Sequence, residues 1–307
     1  MKKISFVMVM RNEANNVEKC IGGIYKQKGD WEREVVIVDS SSDDDTIKLA
    51  KQWPVKVHTI PRKEFHHGRT RNLGASLATG DVLVYLGGDA WPASDRWLEE
   101  LVSPLSDENV ACVYGRQSPK KDCDPINKFR TEFNYGPERI DKHISLQHKL
   151  AHRLYFFSTV NCAIRREIWE KFKFPEDIHI FEDAAFARKV IGAGHKIVYS
   201  PGAEVIHSHN IGAKEILSRY IDAGYMQAKY SFSEKQSKSY QSEGSRYFKQ
   251  GFKQIYEEAG LPWGARFFWH TAAGFIGLTW GQLLFKMGQS GIHYSASHYK
   301  KRSDQSR

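Results

Sequence analysis

Four short apolar runs rich in β-branched residues occur in the first third of the chain, separated by more polar stretches. Runs of this length and composition predict strands. Two of the polar stretches place apolar residues three or four positions apart, which predicts helices at 15–27 and 45–51. This alternation favours an α/β fold with a mostly parallel, doubly wound, Rossmann-like sheet. The predicted strands are residues 4–10, 35–38, 55–60 and 82–86.

The rest of the chain is less regular. Residues 120–156 are rich in charged and aromatic side chains without a clear period, so we predict an irregular lid or binding region there. We expect a folded domain over residues 1–210 and a helical extension over 211–307. The further predicted elements are strands at 161–165, 196–199 and 204–207, helices at 182–191 and 211–230, and an exposed polar connection at 231–245.

An uncharged segment at residues 267–285 lies between Arg266 and Lys286 in the predicted extension. It is long enough to span a bilayer by the rule of about 20 residues. Three glycines, His270 and Gln282 dilute its apolar character, and aromatic residues lie near its ends. This composition favours a helix lying in a membrane interface, with a buried soluble helix and a true span as the alternatives.

Composition narrows the possible partners. The formal net charge of +9 favours phosphate-bearing ligands, anionic lipid or nucleic acid. The basic residues are dispersed and no nucleic-acid-binding motif occurs, so we expect no nucleic acid partner. The four cysteines are scattered and residues 4–10 are followed by no cleavage site, which predicts reduced thiols in a cytoplasmic protein.

Polar residues follow three of the predicted strands, where ligands bind in open α/β sheets. Arg11 and Glu13 follow the first strand, and Asp39 ends the second. Asp39 could accept hydrogen bonds from a base or ribose, or cap a turn. Asp89 could hold a divalent cation that bridges two phosphates, or belong to an ordinary turn. The neighbouring Gly88 would let a ligand approach the backbone closely.

Three other segments offer candidate chemistry. Residues 65–75 place two arginines and a glycine near a predicted helix start, which suits a diphosphate or a solvated helix surface. Glu182 and Asp183 open a predicted helix, where a carboxylate can act as a general base or stabilise the helix end. His207 and His209 share one face of a predicted strand, as chelating or ordinary histidines.

The order of these segments resembles that of inverting family-two glycosyltransferases with a GT-A fold, over about residues 4–210. Within that family the chain is most similar to bacterial rhamnosyltransferases. The phrases that carry this similarity are residues 65–72, 114–119 and 174–177, followed by the Glu-Asp pair. The resemblance implies a nucleotide-sugar-binding half at 1–118 and an acceptor and catalytic half at 119–210.

The resemblance also implies roles for individual residues. Asp39 would contact the nucleotide base, and Arg71 the nucleotide or its diphosphate. Asp89 would be the last carboxylate of the family's Asp-x-Asp motif and would bind Mg or Mn. Gly87 replaces the first Asp of that motif, which leaves one carboxylate there. The remaining implied roles are completion of the metal site by His207 or His209, and catalysis by Asp183 as base with Glu182 beside it.

The expected activity is transfer of a sugar, in the first instance a deoxysugar such as rhamnose, from a dTDP- or UDP-sugar. The acceptor would be a hydroxyl of a saccharide or lipid-linked glycan in cell-envelope polysaccharide synthesis, at the inner face of the membrane. The alternative is a catalytically inactive, transferase-like scaffold subunit. A nucleotide-dependent oxidoreductase is disfavoured because the first strand lacks a Gly-x-Gly-x-x-Gly exit.

Overall fold

A computed structural model describes residues 3–178, 180–229 and 234–288. Within these residues, strands form one sheet in the order β3-β2-β1-β4-β8-β6-β9-β5, and β7 pairs with β9. The strands are β1 (Lys3–Met10), β2 (Glu32–Asp39), β3 (Val55–Thr59), β4 (Val82–Leu86), β5 (Trp91–Pro92), β6 (Val110–Ser118), β7 (Ile140–Lys142), β8 (Asn161–Arg165) and β9 (Lys196–Ile206).

Helices account for most of the remaining described residues. The α-helices are α1 (Ala14–Tyr25), α2 (Thr46–Ala50), α3 (His67–Leu77), α4 (Trp97–Val102), α5 (Pro125–Asn134), α6 (Gln147–Leu150), α7 (Arg166–Phe172), α8 (Glu182–Gly192), α9 (Ala213–Lys229), α10 (Glu234–Ala259) and α11 (Leu261–Lys286). Short 3-10 turns lie at Arg62–Glu64, Ser103–Ser106, Ile144–Leu146 and Ala151–Tyr155.

The first four strands form the parallel part of the sheet. β1 pairs in parallel with β2 and with β4, and β2 pairs in parallel with β3. Successive residues of β1 are buried on both faces, as Phe6, Val7 and Met8 show with at most 1% exposure. A strand buried on both faces needs a continuous apolar run, which is why the sequence pattern predicted these strands.

The other half of the sheet is mixed. β8 runs antiparallel to both β4 and β6, and β9 runs parallel to β6. β9 covers the strand predicted at 196–199 and all but the last residue of the strand predicted at 204–207, and its register against β6 shifts between Gly115 and Gln117. The α/β class is therefore confirmed, and the sheet is parallel from β3 to β4 but mixed beyond it.

Three sequence predictions differ from the structure. His207 and His209 follow β9, so they do not share one face of a strand. Residues 120–156 are not uniformly irregular, since they contain α5, β7 and α6. The polar connection predicted at 231–245 is wrong for residues 234–245, which belong to α10. Residues 231–233 lie outside the described residues. Solvent-facing helices are rich in polar residues, so composition alone did not separate this helix from a loop.

The chain divides into two compact units. The first contains residues 1–120, 135–178 and 182–207, and it holds the sheet. Its core lies between the strands and the helices that follow them. Buried residues of that core include Ile4, Phe6, Met8, Val17, Ile21, Val35, Ile37, Val84, Trp97, Leu101, Val113 and Val198.

The second unit contains residues 121–134, 179–181 and 208–307. α9 and α11 pack closely through glycines: a Cβ added at Gly277 would lie 2.5 Å from the Leu217 carbonyl oxygen, and one at Gly281 would overlap the Ile221 carbonyl oxygen. A separate apolar cluster is centred on Phe129, Ile255 and Phe267. No described helix has the length and apolar character needed to cross a membrane.

Candidate active site

The loops that leave β1 and β2 are tied to each other. The backbone N–H of Asn12 donates a hydrogen bond to Ser42 Oγ at 3.0 Å. The Asn12 side chain donates through Nδ2 to Asp43 Oδ1 at 2.5 Å and accepts through Oδ1 from the Asp43 backbone N–H at 3.0 Å. Asn12 and Ser41 both adopt left-handed backbone conformations, with φ of 55° and 57°. Non-glycine residues adopt this region mainly in special turns and at functional sites. The hydrogen bonds and these turns together hold the two strand exits at one edge of the sheet, called the strand-exit edge below.

Asp39 and Arg11 lie at this edge. The Asp39 carboxylate is 1% exposed as a residue and accepts hydrogen bonds from the Ser42 amide at 3.1 Å and from Ser42 Oγ at 2.5 Å. The turn-capping geometry is therefore present, and contact with a nucleotide base stays a prediction. Arg11 Nε is buried without a hydrogen-bond partner among the described residues, which leaves a donor that suits a bound anion.

Glu13 packs against Gly88 across the strand ends. A Cβ added at Gly88 would lie 3.1 Å from Glu13 Cγ and 3.0 Å from Met10 Cγ, so a larger residue would displace them. Burial raises the pKa of Glu13 to about 7, the hydrogen bond from Asn16 opposes this shift, and the charge of Asp89 adds to it. The two carboxylates therefore affect each other electrostatically.

Asp89 lies beside His207, which follows β9. His207 Nε2 is 3.4 Å from an Asp89 carboxylate oxygen, and Lys120 Nζ is 4.0 Å from the same oxygen. His207 Nδ1 is 2.8 Å from Gln117 Oε1. The Gln117 amide nitrogen donates to Tyr135 Oη at 2.6 Å and to a serine hydroxyl at 2.9 Å, so its oxygen is the atom that faces His207.

This arrangement fits a divalent cation. An amide oxygen can only accept, so in a neutral His207 the proton lies on Nδ1 and the Nε2 lone pair is directed toward Asp89. A carboxylate oxygen suits both Mg and Mn, whereas an imidazole nitrogen suits a transition metal such as Mn better than Mg. His209 is exposed, follows His207 by two residues and belongs to the second unit.

Glu182 and Asp183 form the first turn of α8. Glu182 is 5% exposed and is ion-paired with the Arg71 guanidinium. Asp183 accepts hydrogen bonds from its neighbouring amide, Ala184, at 2.8 Å and from the Thr159 amide. Arg71, which the resemblance assigned to the nucleotide, is thus engaged with the residue next to the candidate base.

The Asp183 carboxyl has an unusual proton affinity. Burial raises its pKa most, and the negative charge of Glu182 raises it further, while Arg71 and the two amides oppose the shift. The resulting pKa is about 7. A carboxylate with a pKa near neutrality is both ionised and basic enough to accept a proton from a hydroxyl.

Sequence reasoning missed several residues of this region. Gln117, Tyr135, Lys120 and Thr159 contact or influence Asp89, His207 or Asp183, yet none was singled out. A signal existed for Gln117 alone, because it lies in the phrase at 114–119 that carries the family resemblance. The others come from stretches without a recognisable pattern.

Comparison with known proteins identifies the class. The profile described as "Glycosyl transferase family 2" matches residues 5–172. The O-antigen chain rhamnosyltransferase WbaN of Salmonella anatum is 35% identical over 251 residues, which are 81% of this chain and 79% of WbaN. RfbN of Salmonella typhimurium, also named an O-antigen chain rhamnosyltransferase, is 34% identical over 84% of this chain and 82% of RfbN.

Solved structures agree on the fold. The mannosyltransferase PcManGT of Pyrobaculum calidifontis, in complex with GDP-Man and Mn2+, aligns over 98% of this chain and 79% of its own, with a TM-score of 0.52 and 18% identity. TarS of S. aureus in complex with UDP-GlcNAc aligns over 94% and 93%, with a TM-score of 0.55 and 14% identity. The chain belongs to glycosyl transferase family 2 and has a GT-A-like fold.

Proposed function

We propose that this glycosyltransferase moves a sugar with inversion from a nucleoside-diphosphate sugar to an acceptor hydroxyl, with Asp183 as the general base. The observation that carries the proposal is the position of Asp183 in the first turn of α8, beside the ion pair of Glu182 with Arg71, where burial raises the pKa of its carboxyl to about 7. A general base is most effective when its pKa lies near the operating pH. Glu182 is assigned a supporting role because its carboxylate is occupied by Arg71.

We assign donor binding to the strand-exit edge. This edge is lined by Arg11, Glu13, Asp39 and Gly88. The buried Arg11 Nε, which has no hydrogen-bond partner among the described residues, supports binding of an anion. Arg71 remains a second candidate for the diphosphate, as the resemblance implied. A binding site that holds the diphosphate at the ends of β1, β2 and β4 follows the general rule for open α/β sheets.

A divalent cation, Mg or Mn, is assigned to Asp89 and His207, with His209 as a proposed third ligand. When bound, it would offset the negative charge that develops on the departing diphosphate. Gln117 holds the His207 ring through Nδ1, which keeps Nε2 available as a ligand.

In the proposed reaction, Asp183 accepts the proton of the acceptor hydroxyl. The hydroxyl oxygen forms a bond to the anomeric carbon as the bond from that carbon to the diphosphate oxygen breaks. The nucleoside diphosphate leaves from the opposite face, which inverts the anomeric configuration. Asp183 then releases its proton to solvent.

Rhamnose is the proposed sugar and dTDP-rhamnose the first donor to test, because both Salmonella relatives are named rhamnosyltransferases and cover most of the chain. UDP-sugars are the second choice. The proposed acceptor is a saccharide or lipid-linked glycan of cell-envelope polysaccharide, since those relatives are named for the O-antigen chain.

Calorimetry with dTDP, UDP and their sugars, with and without Mn, tests the proposal. We expect one nucleotide to bind in a Mn-dependent manner, to lose affinity in Asp89→Asn and to keep it in Asp183→Asn. Binding of no nucleotide would favour the alternative, an inactive scaffold subunit. Nucleotide binding with full transfer by Asp183→Asn would instead contradict the assignment of the base.

We also propose that the enzyme lies at the inner face of the membrane and that α11 contacts anionic lipid. On α11, Trp269, Phe275 and Ile276 are 68%, 71% and 60% exposed. Residues 208–307 contain 14 Lys and Arg against 7 Asp and Glu. Exposed aromatic residues combined with an excess of positive charge suit the interface of an anionic bilayer.

Co-sedimentation with lipid vesicles tests the membrane assignment. We expect binding to vesicles that contain phosphatidylglycerol and little binding to phosphatidylcholine alone. The triple variant Trp269→Ser, Phe275→Ser, Ile276→Ser should lose this binding, whereas Leu77→Ser, an exposed apolar residue of the first unit, should keep it. Equal binding by the wild type and the triple variant would contradict the role of α11.

A further inference from the structure

Arg71 and Glu182 form a nearly enclosed ion pair within the first unit. Their side chains are 16% and 6% exposed. An ion pair of this kind loses much of its solvation, so it persists when the surrounding structure holds both partners in place. Glu182 is the first residue of α8, and the next residue is Asp183. The partner of Glu182 therefore acts directly on the turn that carries the candidate base.

The adjacent Asn72 fixes α3 to the segment that precedes α8. Its Oδ1 accepts hydrogen bonds from Trp169 Nε1 and the Phe174 amide, both at 3.0 Å. Its Nδ2 donates to the Phe174 carbonyl at 2.9 Å and to Glu176 Oε1 at 3.0 Å. Asn72 is 8% exposed, and its bonds to Trp169 and Phe174 are buried, so these three are costly to lose, whereas the bond to Glu176 is only partly buried.

A glycine brings the two segments together. A Cβ added at Gly68 would overlap the Pro175 carbonyl oxygen, so the start of α3 approaches this loop as only glycine allows. Gly68 and Asn72 come from the phrase at 65–72, and Pro175 and Glu176 come from the phrase at 174–177. Two phrases that are separate in the sequence thus form one structural clamp next to α8.

We propose that Arg71 is a positioning residue for Asp183, held on α3 by this clamp so that its guanidinium neutralises Glu182 and fixes the first turn of α8. The inference rests on the proposed function, in which Asp183 is the base. Arg71 then acts through Glu182. Contact between Arg71 and the nucleotide is a separate prediction that the experiment below also examines.

The charges around Asp183 predict in which direction its pKa changes when Arg71 or Glu182 is replaced. The groups that act on it or are acted on by it are Glu182, Arg71, Tyr135 and Cys162. Of these, Glu182 raises and Arg71 lowers the pKa of Asp183. Removing Arg71 should therefore make Asp183 harder to ionise, and removing the Glu182 charge should make it easier to ionise.

The test is a pH titration of the Asp183 carboxyl in protein labelled with 13C at the aspartate carboxyl. The Asp183 signal is assigned by its absence from Asp183→Asn. We expect the midpoint to rise by about one pH unit in Arg71→Met and to fall in Glu182→Gln. Arg71→Lys keeps the positive charge, so it should raise the midpoint less than Arg71→Met does. Arg69→Met is the matched control, because Arg69 lies on the same helix and is exposed.

Opposite shifts in Arg71→Met and Glu182→Gln would support the proposal, because a general loss of structure does not produce opposite signs. An unchanged midpoint in folded Arg71→Met would overturn it, as would equal shifts in Arg71→Met and Arg69→Met. If Arg71→Met does not fold, an unchanged or raised midpoint in Glu182→Gln would overturn it.

dTDP and UDP affinity are measured on the same samples. A loss of affinity in Arg71→Met without a change of midpoint assigns Arg71 to the nucleotide and overturns the positioning role. The titration does not require transfer, so it is separate from the proposed function. Retained transfer in Asp183→Asn would contradict that function without altering the titration result.

Discussion

Two aspartates of the first unit differ sharply in their surroundings. Asp89 lies beside the His207 imidazole and Lys120, with one carboxylate oxygen within 4.0 Å of both. Asp183 lies beside a buried ion pair and two amide donors. The first environment suits a carboxylate that shares a cation, and the second suits one that exchanges a proton near neutral pH. Neighbouring groups, rather than residue type, thus divide the two tasks.

The largest expected effect is that of Asp183→Asn on transfer. Removing a general base should lower kcat by about 10²–10⁴-fold. Mn affinity, measured by electron paramagnetic resonance, should stay close to the wild-type value because Asp183 is not among the proposed ligands. Comparable losses of both quantities would show that the two carboxylates are not separate in function.

The next largest effect is expected for Gln117→Leu. Loss of the hydrogen bond to His207 Nδ1 should weaken Mn binding by about 10–100-fold, as for other groups that orient a ligand. Tyr135→Phe is the control, since it removes a partner of the Gln117 amide nitrogen but leaves the bond to His207. Unchanged Mn affinity in Gln117→Leu would exclude His207 as an oriented ligand.

The pH dependence of transfer by the wild-type enzyme should report the ionisation of Asp183. Asp183 must be ionised to accept a proton, and its pKa is about 7. The rate of transfer should therefore rise about tenfold per pH unit below pH 7 and level off above it. Steady-state rates across this range provide the measurement. A plateau that extends down to pH 5 would mean that the essential base has an ordinary carboxyl pKa.

The smallest effect concerns stability. The folded-state pKa of Asp183 lies above that of an unfolded aspartate, so folding binds a proton between about pH 4 and pH 7, and stability falls as pH rises through this window. Asp183→Asn removes this cost. We expect a gain in stability at pH 8 and none at pH 4 in thermal unfolding. Equal gains at both pH values would point to packing instead.

Much of the fold was predictable because burial leaves a pattern in the sequence. The run at 4–10 corresponds to β1 over Lys3–Met10, and residues 161–165 form β8 as predicted. The helix predicted at 182–191 is α8, which ends one residue later. β5 and β7 were missed because they are too short to leave a pattern: β5 has two residues and β7 has three.

The candidate site was only partly predictable. Asp39, Asp89 and Asp183 stood out because strand exits and helix starts favour carboxylates with a role. The pairing of Arg71 with Glu182 joins residues 111 positions apart, and no local pattern reveals such a contact. Gln117 reaches His207 over 90 positions in the same way. Long-range pairs of this kind need the folded topology.

Glycines carry the contact between α9 and α11, so the side chains of Trp269 and Phe275 on α11 are largely exposed rather than packed. At Gly281 any side chain would force two helix backbones apart. Packing should therefore keep the glycine positions constant over evolutionary time, whereas only the surface that α11 contacts constrains the outer aromatic positions. A few substitutions at these exposed positions could then change what α11 contacts while the packing of α9 against α11 stays the same.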